Sequence, residues 1–105
     1  MTYANVADRD AIQAESAWED RDLPKTMFEM LTRTADKHGA RKALTYQLQS
    51  GPTDAVETLT WNELRDQATQ AANMFRALGV GENDVVAFML PNANEAVLTY
   101  LGAQI

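Results

Sequence analysis

An α/β fold is predicted by three features of this 105-residue sequence. Two stretches with helical periodicity each open on a capping box. A short pair of extended segments flanks the densest cluster of turn residues. One run, Val85-Val86-Ala87-Phe88-Met89-Leu90, is apolar on both faces, the pattern of a central parallel strand covered on both sides. The predicted order is helix, β-hairpin, helix, central parallel strand, helix.

Residues 1–23 read as an acidic lead-in. Asp8, Asp10, Glu15, Glu19, Asp20 and Asp22 stand against Arg9 and Arg21, which places −4 of the net charge of −6 in the first 22 residues. Ala11, Ile12, Ala14, Ala17 and Trp18 suit a short helix with one apolar face, and Trp18 is expected to dock onto something larger.

The first strong helix begins at Thr26-Met27-Phe28-Glu29, where the Thr26 hydroxyl accepts from the Glu29 N–H and Glu29 reaches back. Met27, Leu31, Thr34, Ala35 and His38 share one stripe with Phe28 beside it, and Gly39 is expected to end the helix in a left-handed conformation. His38, the one histidine, sits in the last turn, where it complements the helix dipole. Lys42–Leu48 then alternates as a strand, with Leu44, Tyr46 and Leu48 on one face. After Ser50-Gly51-Pro52-Thr53-Asp54, Glu57–Thr60 resumes in extended form, so the two segments predict an antiparallel hairpin.

Thr60-Trp61-Asn62-Glu63 is the second capping box. Trp61, Leu64, Ala68, Ala71, Ala72, Phe75 and Leu78 form one continuous helical face, ended by Gly79 with Val80 folding back. Beyond the apolar run, Pro91-Asn92 breaks the strand and Asn92-Ala93-Asn94-Glu95 starts a last helix. Ala96, Val97, Tyr100 and Leu101 are its expected buried stripe. A central strand needs neighbours on both edges, and residues 24–105 supply too few, so this region is expected to be the incomplete opening of a larger domain.

Composition narrows the function. There is room for one small domain with a real core: chains of this size bury roughly 60–70% of their unfolded surface. The hydrophobic fraction of 46% suits a globular chain. Cysteine is absent, which rules out a disulfide framework or a thiolate metal site and fits a reducing, cytoplasmic setting. Acidic charge without a basic, aromatic-interleaved stripe argues against nucleic-acid binding. No apolar run is long enough to span a bilayer, and the N-terminus lacks the pattern of a secretory signal.

No catalytic constellation assembles from these residues. Gly79-Val80-Gly81 follows a helix, whereas a phosphate-binding loop places its glycines between a strand and a helix N-terminus. Asp8/Asp10 and Glu82/Asp84 lie on polar stretches, where nothing would shift their pKa values for acid–base work. Ser16 and Ser50 have no nucleophile-elbow context, and a lone His38 makes neither a triad nor a metal site. The expected set of catalytic, cofactor-binding and metal-ligating residues is therefore empty.

The blocks Ala43-Leu44-Thr45-Tyr46, Leu59-Thr60-Trp61-Asn62-Glu63-Leu64, Ala72 to Val80, Asp84-Val85-Val86-Ala87 and Leu90-Pro91-Asn92 occur in series. In order and spacing they resemble the N-terminal part of the adenylate-forming (AMP-binding) superfamily: acyl-CoA synthetases, peptide-synthetase adenylation domains and luciferases. The resemblance spans residues 24–105. It implies a parent enzyme that activates a carboxylic acid with ATP and Mg through an acyl-adenylate, then transfers the acyl group to CoA. The family's phosphate loop and its catalytic Lys have no counterpart at any position here. The acidic lead-in and the long loop at 49–56 favour an acyl-CoA synthetase, with fatty acid as the expected substrate. The implied partner is the remainder of the same enzyme, and self-association of the isolated chain is expected. The alternative from a different class is a free-standing α/β interaction module without catalysis.

Overall fold

The computed structural model describes residues 4–105, so the first three residues of the lead-in lie outside it. The elements are α1 (Val6–Ala14), α2 (Met27–His38), β1 (Lys42–Gln47), β2 (Val56–Thr60), α3 (Trp61–Ala77) and α4 (Asn94–Gly102), with a 3-10 turn at Trp18–Asp20. This is an α/β arrangement with one two-stranded antiparallel sheet.

The hairpin forms where the alternation places it. Thr45 pairs with Thr58 and Gln47 with Val56, and the two threonine hydroxyls hydrogen-bond across the strands at 3.0 Å. Lys42 pairs with Thr60 and Leu44 with Leu59, so Ala43 is an extra residue on β1, a bulge at the start of the strand. Leu44 and Tyr46 are half-buried as expected, whereas Leu48 lies beyond the strand and is exposed.

α3 is the spine. Its start is a complete capping box: Thr60 Oγ1 accepts the Glu63 N–H at 3.3 Å, and Glu63 Oε2 accepts the Thr60 N–H at 2.8 Å. Its end is a Schellman motif, with the Val80 N–H on the Phe75 carbonyl and the Gly79 N–H on that of Arg76, both 3.0 Å, and Gly79 at φ 88°. Leu64, Ala68 and Ala72 are buried along one face, where Leu31 of α2 and Leu101 of α4 meet Leu64 and Ala68 in the core. Leu78, expected on this face, is exposed, because the helix stops at Ala77 and the chain turns out at the cap.

α2 buries Leu31 and Ala35, but Phe28 is on the solvent side of the stripe and exposed. The Thr26 hydroxyl accepts the Glu29 N–H at 3.1 Å, whereas the Glu29 carboxylate goes one residue further back, to the Lys25 N–H at 2.8 Å. The expected left-handed Gly39 is instead right-handed, at φ −45° and ψ −43°. A close approach sets this corner: the Gly39 carbonyl accepts the Asn62 N–H at 3.1 Å, and a Cβ on Gly39 would stand 2.5 Å from the Asn62 side chain. Glycine is needed here for space.

Val85–Leu90 is not a strand. No backbone hydrogen bond joins it to another segment among the described residues, and Val85 and Met89 are 91% and 97% exposed. A strand exists by virtue of a paired neighbour, and the sheet among the described residues is the β1–β2 hairpin alone, to which this segment does not pair. α4 follows as expected, though Tyr100 is exposed, while Asn94 and Gly102 are buried beside Leu101. Trp18 is 70% exposed and α1 buries no residue, so the expected docking of Trp18 is not seen among the described residues.

Candidate functional site

Two clefts are lined by the elements above. The larger, of about 380 Å³, lies between the C-terminal half of α3, the loop Val80–Val86 and the end of α4. Phe75, Val80, Val86 and Ile105 give it an apolar wall, and Arg76, Glu82 and Asp84 give it charge. The charges serve local backbone: Asp84 Oδ2 accepts the Gly81 N–H at 2.7 Å, and Arg76 Nη2 donates to the Ile105 carbonyl at 3.2 Å. Neither group is left aimed at a reacting centre.

The smaller cleft, of about 210 Å³, lies between β1 and the start of α4. Leu44 and Tyr46 form one side, and Asn92, Asn94 and Val97 the other. The helix starts at Ala93 without a side-chain cap, and the buried Asn94 has an Oδ1 with no hydrogen-bond partner. A buried carbonyl oxygen without a donor costs roughly 1–3 kcal/mol. Sequence reading missed Asn94, treating it as one of the three polar residues of the helix start Asn92-Ala93-Asn94-Glu95; its burial comes from packing that pattern alone does not place.

Of the candidate acids, Glu82 and Asp84 line the larger cleft, and Asp8 and Asp10 line neither. Asp10 pairs with Arg9 at 2.7 Å on the exposed face of α1, and Asp8 Oδ2 accepts the Ala4 N–H at 2.9 Å. Two carboxylates elsewhere are held below the ordinary carboxylate range, and both are helix caps. Glu63 is lowered by the Thr60 N–H and then the Thr60 hydroxyl, and Glu29 by the Lys25 N–H and then Arg33. His38 closes α2 together with Lys37, at the negative end of the helix dipole. Among the described residues no three His, Asp or Glu side chains are gathered where they could hold a metal ion. No helix there is long and apolar enough to cross a membrane.

Neither cleft presents the cradle of a nucleoside triphosphate. A triphosphate needs a cradle of free backbone N–H groups and cationic side chains. Here Arg76 is the one cation among the described residues lining the larger cleft, and the carboxylates of Glu82 and Asp84 in the same lining oppose a triphosphate.

The chain is similar to known proteins over most of its length. The family model described as AMP-binding enzyme matches residues 31–104. The marinolic acid–CoA ligase of Pseudoalteromonas sp. (strain SANK 73390) is 32% identical over 80 residues, which is 76% of this chain and 12% of that protein. Tyrocidine synthase 3 of Brevibacillus parabrevis is 34% identical over 80 residues, 76% of this chain and 1% of that protein. The 4-coumarate–CoA ligase 1 of Arabidopsis thaliana is 43% identical over 56 residues, 53% of this chain and 10% of that protein. The chain thus spans 12% or less of the length of these relatives. No solved structure matches it at a comparable level.

Proposed function

This chain belongs to the AMP-binding enzyme family, and on that premise we propose that it is the scaffold opening of an ATP-dependent acyl-CoA ligase. The parent enzyme would activate a carboxylic acid, a fatty acid in this reading, as an acyl-adenylate with release of pyrophosphate, and pass the acyl group to the thiol of CoA. Residues 24–105 are the family portion and 1–23 a lead-in. The site residues lie outside these 105 positions, and ATP, Mg and CoA bind to the rest of the parent, in the cytoplasm.

The observation that carries the reading is Val85–Leu90. It has the composition of a strand buried on both faces, yet stands unpaired with Val85 and Met89 almost wholly exposed. Such a segment suits one layer of a sheet completed by other residues. The unpartnered Asn94 Oδ1, close by in sequence, supports the same reading. Two of the named relatives are CoA ligases, which favours thiol transfer over peptide synthesis.

The test is ATP–pyrophosphate exchange with a panel of fatty acids. The chain alone should give none, and the reading frame, followed past Ile105 and expressed whole, should give exchange and acyl-CoA. Exchange by the 105 residues alone would overturn the placement of the site. A reading frame ending at Ile105 would favour a free-standing interaction module.

A further inference from the structure

Two arginines with different tasks organise the N-terminal arm, and one of them joins it to α2. Arg21 gathers the arm onto itself: its Nη2 donates to the carbonyl oxygens of Ile12 at 3.0 Å and Ser16 at 3.3 Å, tying down the end of α1. The next residue, Asp22, is held by Arg33 of α2. Arg33 Nη1 donates to the Asp22 carboxylate at 2.9 Å and to the Asp22 carbonyl at 3.2 Å. Arg33 Nη2 donates to Glu29 Oε1 at 2.6 Å, and the other oxygen of Glu29 accepts the Lys25 N–H. One guanidinium and one carboxylate thus grip the chain at Asp22 and Lys25, on both sides of Leu23-Pro24.

Apolar burial does not hold the arm, since α1 has no buried residue and Trp18 is exposed. We propose that Arg33 is an electrostatic latch that fixes the N-terminal arm on α2 and opens at high ionic strength. The planar fork reaches Asp22 and Glu29 at once, which the single ammonium of Lys cannot reproduce. Arg33–Glu29 is an i,i+4 pair within α2 and persists when the arm lifts, so release means loss of the Asp22 bonds. Both partners are solvent-facing, so salt screens them: the Debye length falls from about 10 Å at 0.1 M to about 3 Å at 1 M.

The test is amide hydrogen exchange in the intact chain at neutral pH, comparing Leu23 and Lys25 with the α3 amides of Leu64–Ala72. Arg33→Ala should speed exchange at Leu23 several-fold, affect Lys25, held by Glu29, less, and leave α3 unchanged, with Arg33→Lys intermediate. Salt near 1 M should reproduce the rise in the native chain and add little in Arg33→Ala. Unchanged exchange at Leu23 in Arg33→Ala overturns the latch. So does an equal rise along α3, which would make Arg33 a general stabiliser, and so does indifference of the native chain to salt.

Discussion

Gly102 of α4 lies directly over Ala71 of α3, so close that a Cβ on Gly102 would stand 2.6 Å from the Ala71 Cβ and 3.1 Å from the Ala72 nitrogen. Small residues let the two backbones meet, and this contact seats Leu101 in the core with Leu31 and Leu64. Replacing Gly102 by Ala forces the helices apart, because backbone atoms are among those struck. Overpacking of this kind costs about 1–3 kcal/mol. Gly102→Ala should lower the urea midpoint of the helical circular-dichroism signal, and an unchanged midpoint would refute the tight seat.

Gly79 is the C-terminal stop of α3 at positive φ, with nothing near its absent Cβ. Gly79→Val should cost about 1 kcal/mol or more, since a β-branched residue resists that conformation. Gly79→Asn should cost less, because Asn tolerates the left-handed region. Equal losses for Val and Asn would place the cause elsewhere.

The cap of α3 makes a pH prediction with a definite sign. The Thr60 N–H and then its hydroxyl lower the Glu63 pKa below the ordinary 4.5. The folded-state pKa is depressed, so the stabilisation is fully present above 4.5 and is lost as pH falls through the folded value. Glu63→Gln keeps a capping side chain without a charge. It should therefore flatten the acid dependence of α3 helicity below that pH while leaving neutral-pH helicity close to native. Glu29, also lowered, titrates on α2 and is the control.

Exposed apolar surface predicts association. Val85, Phe88, Met89 and Leu90 are exposed in one short segment, and Tyr100 on α4 is exposed as well. Unpaired extended chain and apolar patches are templates for aggregation. The isolated chain should bind ANS, melt with low cooperativity and self-associate in sedimentation. Supplying the remainder of an AMP-binding domain should abolish all three.

The parts of the fold legible in the sequence are those set by local chemistry. Thr60 and Glu63 satisfy each other within one helical turn, and Gly79 and Val80 close the other end, so both limits of α3 could be read directly. The hairpin was legible because Lys42–Gln47 and Val56–Thr60 are joined by an unmistakable turn. What depends on distant partners was not. Gly39 meets Asn62 and the Ala35 carbonyl too closely to carry a Cβ, Asn94 is buried at a helix start beside the cleft shared with β1, and Val85–Leu90 needs neighbours to become a strand. The larger cleft carried no legible chemistry because Arg76 meets the Ile105 carbonyl only through the tertiary fold, while Asp84 closes its own local turn at Gly81.

The claim that this chain is a scaffold awaiting the rest of its sheet is tested most directly at the amides of Val85–Leu90. Hydrogen exchange there should be unprotected in the isolated chain and strongly protected in the complete AMP-binding domain, where the segment gains strand neighbours. Protection of those amides in a monomeric 105-residue chain, with a sharp thermal transition and no dye binding, would contradict the account.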